Sequence, residues 1–273
     1  MRDSVCDGTE RALGRWARVF VHVPFTKRNY YMPIVLSERL SPEFYLDWLD
    51  LANLDALELE EIRASLAKAG LSCTVHGPYM ELSPGGSDPE ITKVTRKRIL
   101  KAVDAASFLK AETMVVHAAF DRFKYGGMLE TWLEDSTRFW EEVGHKTLKR
   151  GVVLALENTL EDSPEPLCRL VERLDPDVFG HCFDIGHFNV FGRCGLVEWL
   201  ESVKGRLLEL HLHDNKGDSD QHLAIGDGTA DFKALFDCLS DLGEKPALTI
   251  EAHEESSARR SVIELEKLLR QAK

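Results

Sequence analysis

The residues best suited to chemistry are histidines and carboxylates that stand where short apolar runs end. Six successive runs contain or finish in such a residue: His76, His117, Glu157, Asp184, His211 and Glu251. Three more follow in the connecting segments: His187, Asp220 and His222. Imidazoles and carboxylates are common ligands of divalent cations, and carboxylates buried together need positive charge to offset their repulsion. The pattern predicts a metal centre, provided that the fold brings these run ends together.

The apolar runs alternate with longer amphipathic segments. Seven runs are predicted as strands: Val19–Val23, Cys73–His76, Thr113–His117, Val152–Glu157, Gly180–Asp184, Leu207–His213 and Leu248–Glu251. An eighth strand is expected within Glu43–Leu51, in the least readable region, residues 27–57. Helical spacing is found between them: Leu57–Ala69, Glu90–Leu109, Leu129–Leu148, Pro166–Leu174, Leu196–Val203, Phe232–Leu239 and Ser257–Leu269. This alternation is typical of a parallel sheet covered by helices.

Eight parallel strands predict an α/β fold, a single (β/α)8 TIM barrel forming one domain over residues 1–273. In such a barrel the carboxyl ends of the strands meet at one rim, where active sites lie. A doubly wound open sheet is the alternative, although no Gly-rich phosphate turn follows the first strand. On the barrel prediction His22 lines the pocket and His253 is a rim residue, whereas His145 and His181 are structural.

The composition restricts the partners and the location. The formal net charge is −12, which disfavours binding of nucleic acid or anionic membranes through surface charge. No apolar run is long enough to span a bilayer, and residues 1–15 have no apolar signal-peptide core. The six cysteines form no C-x-x-C pair, which indicates reduced thiols in a cytoplasmic protein. The composition does not determine the oligomeric state, and a homo-oligomer is compatible with it.

Several motifs between His76 and Glu251 resemble the xylose-isomerase-like barrel superfamily, which includes sugar epimerases, sugar-phosphate isomerases and endonuclease IV. These motifs are VHGPY, VVH, LENT, CFDIGH, HLHDNKGDSDQHLAIGDG and TIEA. Resemblance to the epimerases implies one metal ion on Glu157, Asp184, His211 and Glu251, with His187 contacting the substrate. Resemblance to endonuclease IV implies three zinc ions, held by all nine residues: His76, His117, Glu157, Asp184, His187, His211, Asp220, His222 and Glu251. Tyr79 also falls where that enzyme has a tyrosine, but the opening FVHVPFTKRNYYMP and SPEFYLDWLDLANL does not match, and its DNA-penetrating loop has no counterpart.

The favoured hypothesis is a divalent-metal-dependent isomerase or epimerase acting on a sugar or sugar phosphate. Glu157 and Glu251 would be catalytic, one removing a proton from the substrate carbon and the other returning it. The cofactor would be one ion of Zn, Mn, Co or Mg, stabilising the ene-diolate between the two steps. His187, Tyr79 and His213 are expected to bind the substrate, and His213 alternates in phase with His211.

Two alternatives remain open. An endonuclease IV-like zinc phosphoesterase would use two or three ions, and three ions would leave the four predicted carboxylate ligands with a site charge of +2, attractive to phosphate. One ion on the epimerase ligand set leaves −1, which suits a neutral sugar better. The third reading is a non-catalytic barrel that binds metal or sugar. The absent DNA loop and the acidic balance favour a small-molecule partner over nucleic acid.

Overall fold

The computed structural model describes residues 18–271, in which eight parallel strands form a closed barrel in sequence order. The strands are β1 (Val19–Pro24), β2 (Ser41–Tyr45), β3 (Thr74–His76), β4 (Met114–His117), β5 (Leu154–Glu157), β6 (Phe179–Asp184), β7 (Leu207–Leu212) and β8 (Ala247–Ile250). Strand β8 closes the barrel on β1, with Leu248 opposite Val19. The predicted (β/α)8 TIM barrel is confirmed, and the open-sheet alternative is wrong.

Helices cover the outside of the barrel. They are α1 (Arg28–Glu38), α2 (Trp48–Ala52), α3 (Ala56–Ala69), α4 (Pro89–Leu109), α5 (Arg122–Tyr125), α6 (Leu129–Leu148), α7 (Glu165–Glu172), α8 (Ile185–Phe191), α9 (Leu196–Val203), α10 (Phe232–Leu242) and α11 (Glu255–Gln271). Asp88 accepts hydrogen bonds from the first amides of α4, and Asp231 caps α10. Helices α3 and α10 end at left-handed glycines, Gly70 and Gly243.

The least readable region differs from its prediction. The strand expected within Glu43–Leu51 begins earlier, at Ser41, and ends at Tyr45. The rest of that span turns into α2, because the Asp47 carboxylate accepts hydrogen bonds from the amides of Leu49 and Asp50. A helix, α1, precedes β2 although it contains a proline.

Alternation along the strands builds a buried layer beneath the rim. Residues two positions apart on a strand point to the same side of the sheet. The residues two before the predicted rim residues are all buried: Thr74, Val115, Ala155, Cys182, Glu209 and Thr249. This filled layer closes the barrel from below, so the rim side chains face a cavity that opens at one end only.

Two sequence predictions concern features outside this layer. The five cysteines between residues 18 and 271 are free thiols, whereas Cys6 and the segment predicted to lack a signal-peptide core lie outside the described residues. No helix within the described range is long and apolar enough to cross a membrane.

Candidate metal centre and active site

The nine predicted ligands all lie around the mouth of the barrel, at the carboxyl ends of the strands. A cavity of about 390 Å³ opens there, and most of the nine ligands line it: His76, His117, Glu157, His187, Asp220, His222 and Glu251. The other two, Asp184 and His211, lie deeper, with no exposed surface. Tyr79 lines the same cavity and stacks on His117, with their ring centroids 4.5 Å apart.

Four residues at strand ends form a group that we call the strand-held group: Glu157, Asp184, His211 and Glu251. One ligand atom from each lies within 4.8 Å of all the others. His211 Nδ1 is 2.9 Å from a Glu157 oxygen, 3.5 Å from a Glu251 oxygen and 3.9 Å from an Asp184 oxygen. The barrel register fixes these positions, since Asp184 is paired directly with His211.

A second cluster, the loop-held group, comprises His187, His213, Asp220 and His222. Asp220 Oδ2 lies 3.3 Å from His187 Nε2 and 3.2 Å from His222 Nε2. His213 was predicted to bind substrate, but it is fully buried and its Nε2 lies 3.1 Å from Asp184 Oδ2. The structure therefore brings His213 among the donor atoms beneath the cavity.

A third cluster joins His76 and His117 to the far oxygen of Glu157. Their Nε2 atoms lie 3.2 and 2.9 Å from Glu157 Oε2. Glu157 thus uses one oxygen in this cluster and the other in the strand-held group. A carboxylate in this arrangement could bridge two ions.

The loop that carries Asp220 and His222 is held by Asp214. Its carboxylate accepts hydrogen bonds from the backbone amides of Asn215, Gly226, Gly228 and Ala230. In the glycine turn at residues 225–229, the amides of Gly226 and Gly228 both donate to Asp214. The turn therefore fixes the rim of the site.

The electrostatics of the site require bound cations or protons. Burial would raise the pKa of Glu157, yet the charges of His211 and His117 hold it well below its usual range. The pKa values of Asp184 and Glu251 are likewise lowered against burial, mainly by His187 and by His211. Several ionised carboxylates buried together are strongly unfavourable without positive partners.

The residues fit divalent cations by chemistry and by spacing. The donors are carboxylate oxygens and imidazole nitrogens, which suit Zn and, where oxygen dominates, Mn or Mg. Ligand atoms at the corners of a tetrahedron with ~2.1 Å bonds lie about 3.4 Å apart. The separations of 2.9 to 3.9 Å around His211 Nδ1 bracket that value.

Sequence reasoning missed Glu43 and Tyr45, both on β2. Glu43 has no exposed surface, and its Oε2 lies 3.4 Å from His211 Nε2. Glu43 and Tyr45 are two residues apart, so they lie on one side of a strand, and this alternation could have indicated them. Pro42 made the strand difficult to recognise, because proline is uncommon within a central strand. His22 and His253 both line the cavity, as expected. His145 lies exposed on α6, and the buried His181 belongs to none of these clusters.

Comparison with known proteins places the chain in a family. Its residues 41–272 match the model of the xylose isomerase-like TIM barrel family, and the chain belongs to that family. The chain is 29% identical over 184 residues to the uncharacterized protein MJ1311 of Methanocaldococcus jannaschii. That match covers 65% of this chain and 63% of the relative's length.

Two solved structures are similar over nearly the whole chain. The TTHB071 protein of Thermus thermophilus, studied after soaking with ZnCl₂, is 27% identical with a TM-score of 0.76, covering 94% of this chain and 99% of that one. A D-tagatose 3-epimerase-like protein is 22% identical with a TM-score of 0.81, covering 93% and 97%. The second likeness, at its lower identity, shows the fold.

Proposed function

We propose that the protein is a divalent-metal-dependent epimerase or isomerase of a sugar or sugar phosphate. The observation that carries the proposal is the strand-held group, in which three carboxylates and one imidazole converge within 4.8 Å. Two of the carboxylates, Glu157 and Glu251, stand at the ends of different strands and also line the cavity. The shared fold of solved sugar epimerases supports the same chemistry.

The two glutamates would perform the proton transfers. A substrate carbon held between Glu157 and Glu251 could lose a proton to one carboxylate and regain it from the other. Their lowered pKa values favour the ionised form that a base requires. A divalent ion bound to the strand-held group would supply Lewis-acid stabilisation of the ene-diolate.

The remaining cavity residues would hold the substrate. His187 and Tyr79 both line the cavity, and Tyr79 retains 38% exposure. We therefore assign these two to the substrate. His213 has no exposed surface, so we assign it to the metal donors instead. Exposed Lys27 at the cavity edge would favour an anionic substituent such as a phosphate.

Solvent-proton exchange tests this function. Protein reconstituted with Mn²⁺, Co²⁺ or Zn²⁺ is incubated in D₂O with ketoses, aldoses and their phosphates, and deuterium uptake next to the carbonyl is followed by NMR. We expect exchange with at least one substrate, lost in Glu157→Gln and Glu251→Gln but kept in Glu134→Gln, an exposed control on α6. Absence of exchange from the whole panel would contradict the proposal.

A multinuclear phosphoesterase is the second candidate, favoured by the two additional donor clusters. The discriminating measurement is metal content by mass spectrometry, in the wild type and in His76→Ala, His117→Ala and His222→Ala. If one ion performs the chemistry, these variants keep one tightly bound ion and measurable proton exchange. If several ions do, metal stoichiometry and hydrolysis of a phosphodiester fall together. Bound metal with neither activity would indicate a binding protein.

A further inference from the structure

The closure of the barrel brings together His22 of β1, Glu43 of β2 and Glu251, which directly follows β8. One ligand atom from each lies within 4.8 Å of the other two. His22 Nδ1 lies 3.7 Å from Glu43 Oε1 and 3.6 Å from Glu251 Oε1. Neither His22 nor Glu43 belongs to the ligand sets implied by family resemblance, and His22 precedes residue 41, where the family match begins.

These contacts are not hydrogen bonds. Within residues 18–271, neither His22 Nδ1 nor Glu43 Oε1 has a hydrogen-bond partner, although both atoms are buried. The separations of 3.6 and 3.7 Å exceed the usual ~2.7–3.2 Å of a hydrogen bond. They are close to the about 3.4 Å expected between two atoms bound to one tetrahedral ion.

The two oxygens of Glu43 have different surroundings. Oε2 lies 3.4 Å from both Thr74 Oγ1 and His211 Nε2, so it is directed into the barrel. Oε1 is directed toward His22, and the Glu43 side chain has no exposed surface. A wholly buried carboxylate oxygen without a donor is costly, and an unseen cation is one established remedy.

We propose that His22, Glu43 and Glu251 form a further divalent-cation site, in which Glu251 is shared with the strand-held group. The donors are the Glu43 carboxylate, the shared Glu251 carboxylate and one imidazole, a set that suits Zn²⁺. Three protein ligands leave a fourth position, and His22 and Glu251 both line the cavity, so that position faces it. The site does not require the epimerase function, although it shares Glu251 with the strand-held group, and only His22 and Glu43 are specific to it.

The location of bound zinc tests the site. Crystals of the protein loaded with ZnCl₂ are measured at the zinc absorption edge, and zinc per chain is counted in solution by mass spectrometry. We expect an anomalous peak about 2.0–2.2 Å from His22 Nδ1 and Glu43 Oε1. His22→Ala and Glu43→Gln should each lose that peak and one zinc per chain, while the peak at His211 Nδ1 persists. The exposed control Glu134→Gln should bind as the wild type.

Two outcomes would overturn the site. One is a wild-type crystal in which zinc occupies other clusters but no peak lies between His22 and Glu43. The other is a loss of zinc in Glu43→Gln with full retention in His22→Ala, because Glu43 would then act by orienting His211 and not as a ligand shared with His22. If the buried Glu43→Gln variant fails to fold, the partly exposed His22→Ala variant decides the question alone.

Discussion

The strand-held and loop-held groups are built by different physical means. In the strand-held group, barrel pairing sets each position, and the four side chains are at most 8% exposed. In the loop-held group, Asp220 is 33% exposed and His222 adopts a left-handed backbone with φ 49°, uncommon for a residue other than glycine. The first group is fixed by the architecture of the barrel, whereas the second depends on a loop tied down by Asp214. The two should therefore be separable by mutation.

The largest effect is expected from Glu157→Gln, because Glu157 contributes an oxygen to each of two clusters. Its Oε1 lies 2.9 Å from His211 Nδ1, and its Oε2 lies 2.9 Å from His117 Nε2. The amide removes the charge and one acceptor, so we expect metal affinity to fall by more than about 100-fold, beyond the loss typical of an outer-shell change. Calorimetric titration with Zn²⁺ or Mn²⁺ measures it, with Glu134→Gln as control. Wild-type affinity in the variant would show that the strand-held group is not the principal site.

Asp214→Ala should damage the loop-held group alone. Four backbone amides lose a charged acceptor, which we expect to destabilise the protein by about 3 kcal/mol or more. Hydrogen exchange should accelerate at Gly226, Gly228 and Ala230. Zinc at the loop-held group should be lost, while zinc at His211 remains. The exposed neighbour variant Asp218→Ala should leave both unchanged, and equal loss from the two groups in Asp214→Ala would refute the separation.

Gly186→Ala tests the close packing between α8 and His213 of the loop-held group. A Cβ at residue 186 would overlap the ring of His213, which has no exposed surface. We expect a loss of about 1–3 kcal/mol in stability, as for other overpacked cores, and weaker zinc binding at the loop-held group. Thermal unfolding and zinc titration measure these effects. Gly127→Ala is the matched control, because a Cβ there meets nothing within 4 Å. Equal behaviour of the two variants would show that His213 can move freely.

The members of the strand-held group could be predicted from the sequence because parallel strands that are buried on both faces consist of nearly continuous apolar residues. A charged residue at the end of such a run, as in LENT or TIEA, is conspicuous, and barrel geometry sends all such ends to one rim. The structure brings the six strand-end residues together as this reasoning requires. The pattern of residues alone did not indicate the grouping into clusters, since the grouping depends on the stagger between strands, and only the resemblance to the epimerases singled out the four members of the strand-held group.

Glu43 and Asp214 show where the sequence gives too little information. Glu43 sits in SPEFY, where a proline and a short length conceal a strand, and its contacts with His211 and Glu251 arise only on barrel closure. Asp214 looks like one more candidate ligand in HLHDN. Its carboxylate instead accepts hydrogen bonds from backbone amides up to 16 residues later in the sequence, and only the folded loop brings these amides close to it.

The last expected effect is a pH dependence of stability when divalent ions are chelated, which involves Glu157 of the strand-held group and Asp220 of the loop-held group. His76 faces Glu157, and His222 faces Asp220. Burial would lower both pKa values, but the hydrogen bonds and charges of these carboxylates raise each to about 9. The folded protein therefore retains protons that the unfolded chain releases above its ordinary imidazole value of 6.5.

The sign of this effect follows from proton linkage. A raised imidazole pKa stabilises the folded state fully below pH 6.5, and the contribution is lost as pH rises toward about 9. Glu209, whose pKa burial raises to about 8, adds a decline of the same sign. We expect the free energy of unfolding of chelated protein, measured with urea, to fall between pH 6.5 and 9. His222→Ala should reduce the slope, because it removes one of the linked protons. Zinc should flatten or reverse it, because metal ligands bind deprotonated and the ion replaces the protons. Stability that rose with pH in the chelated protein would mean that these histidines are neutral, and that the carboxylates of both groups are balanced in some other way.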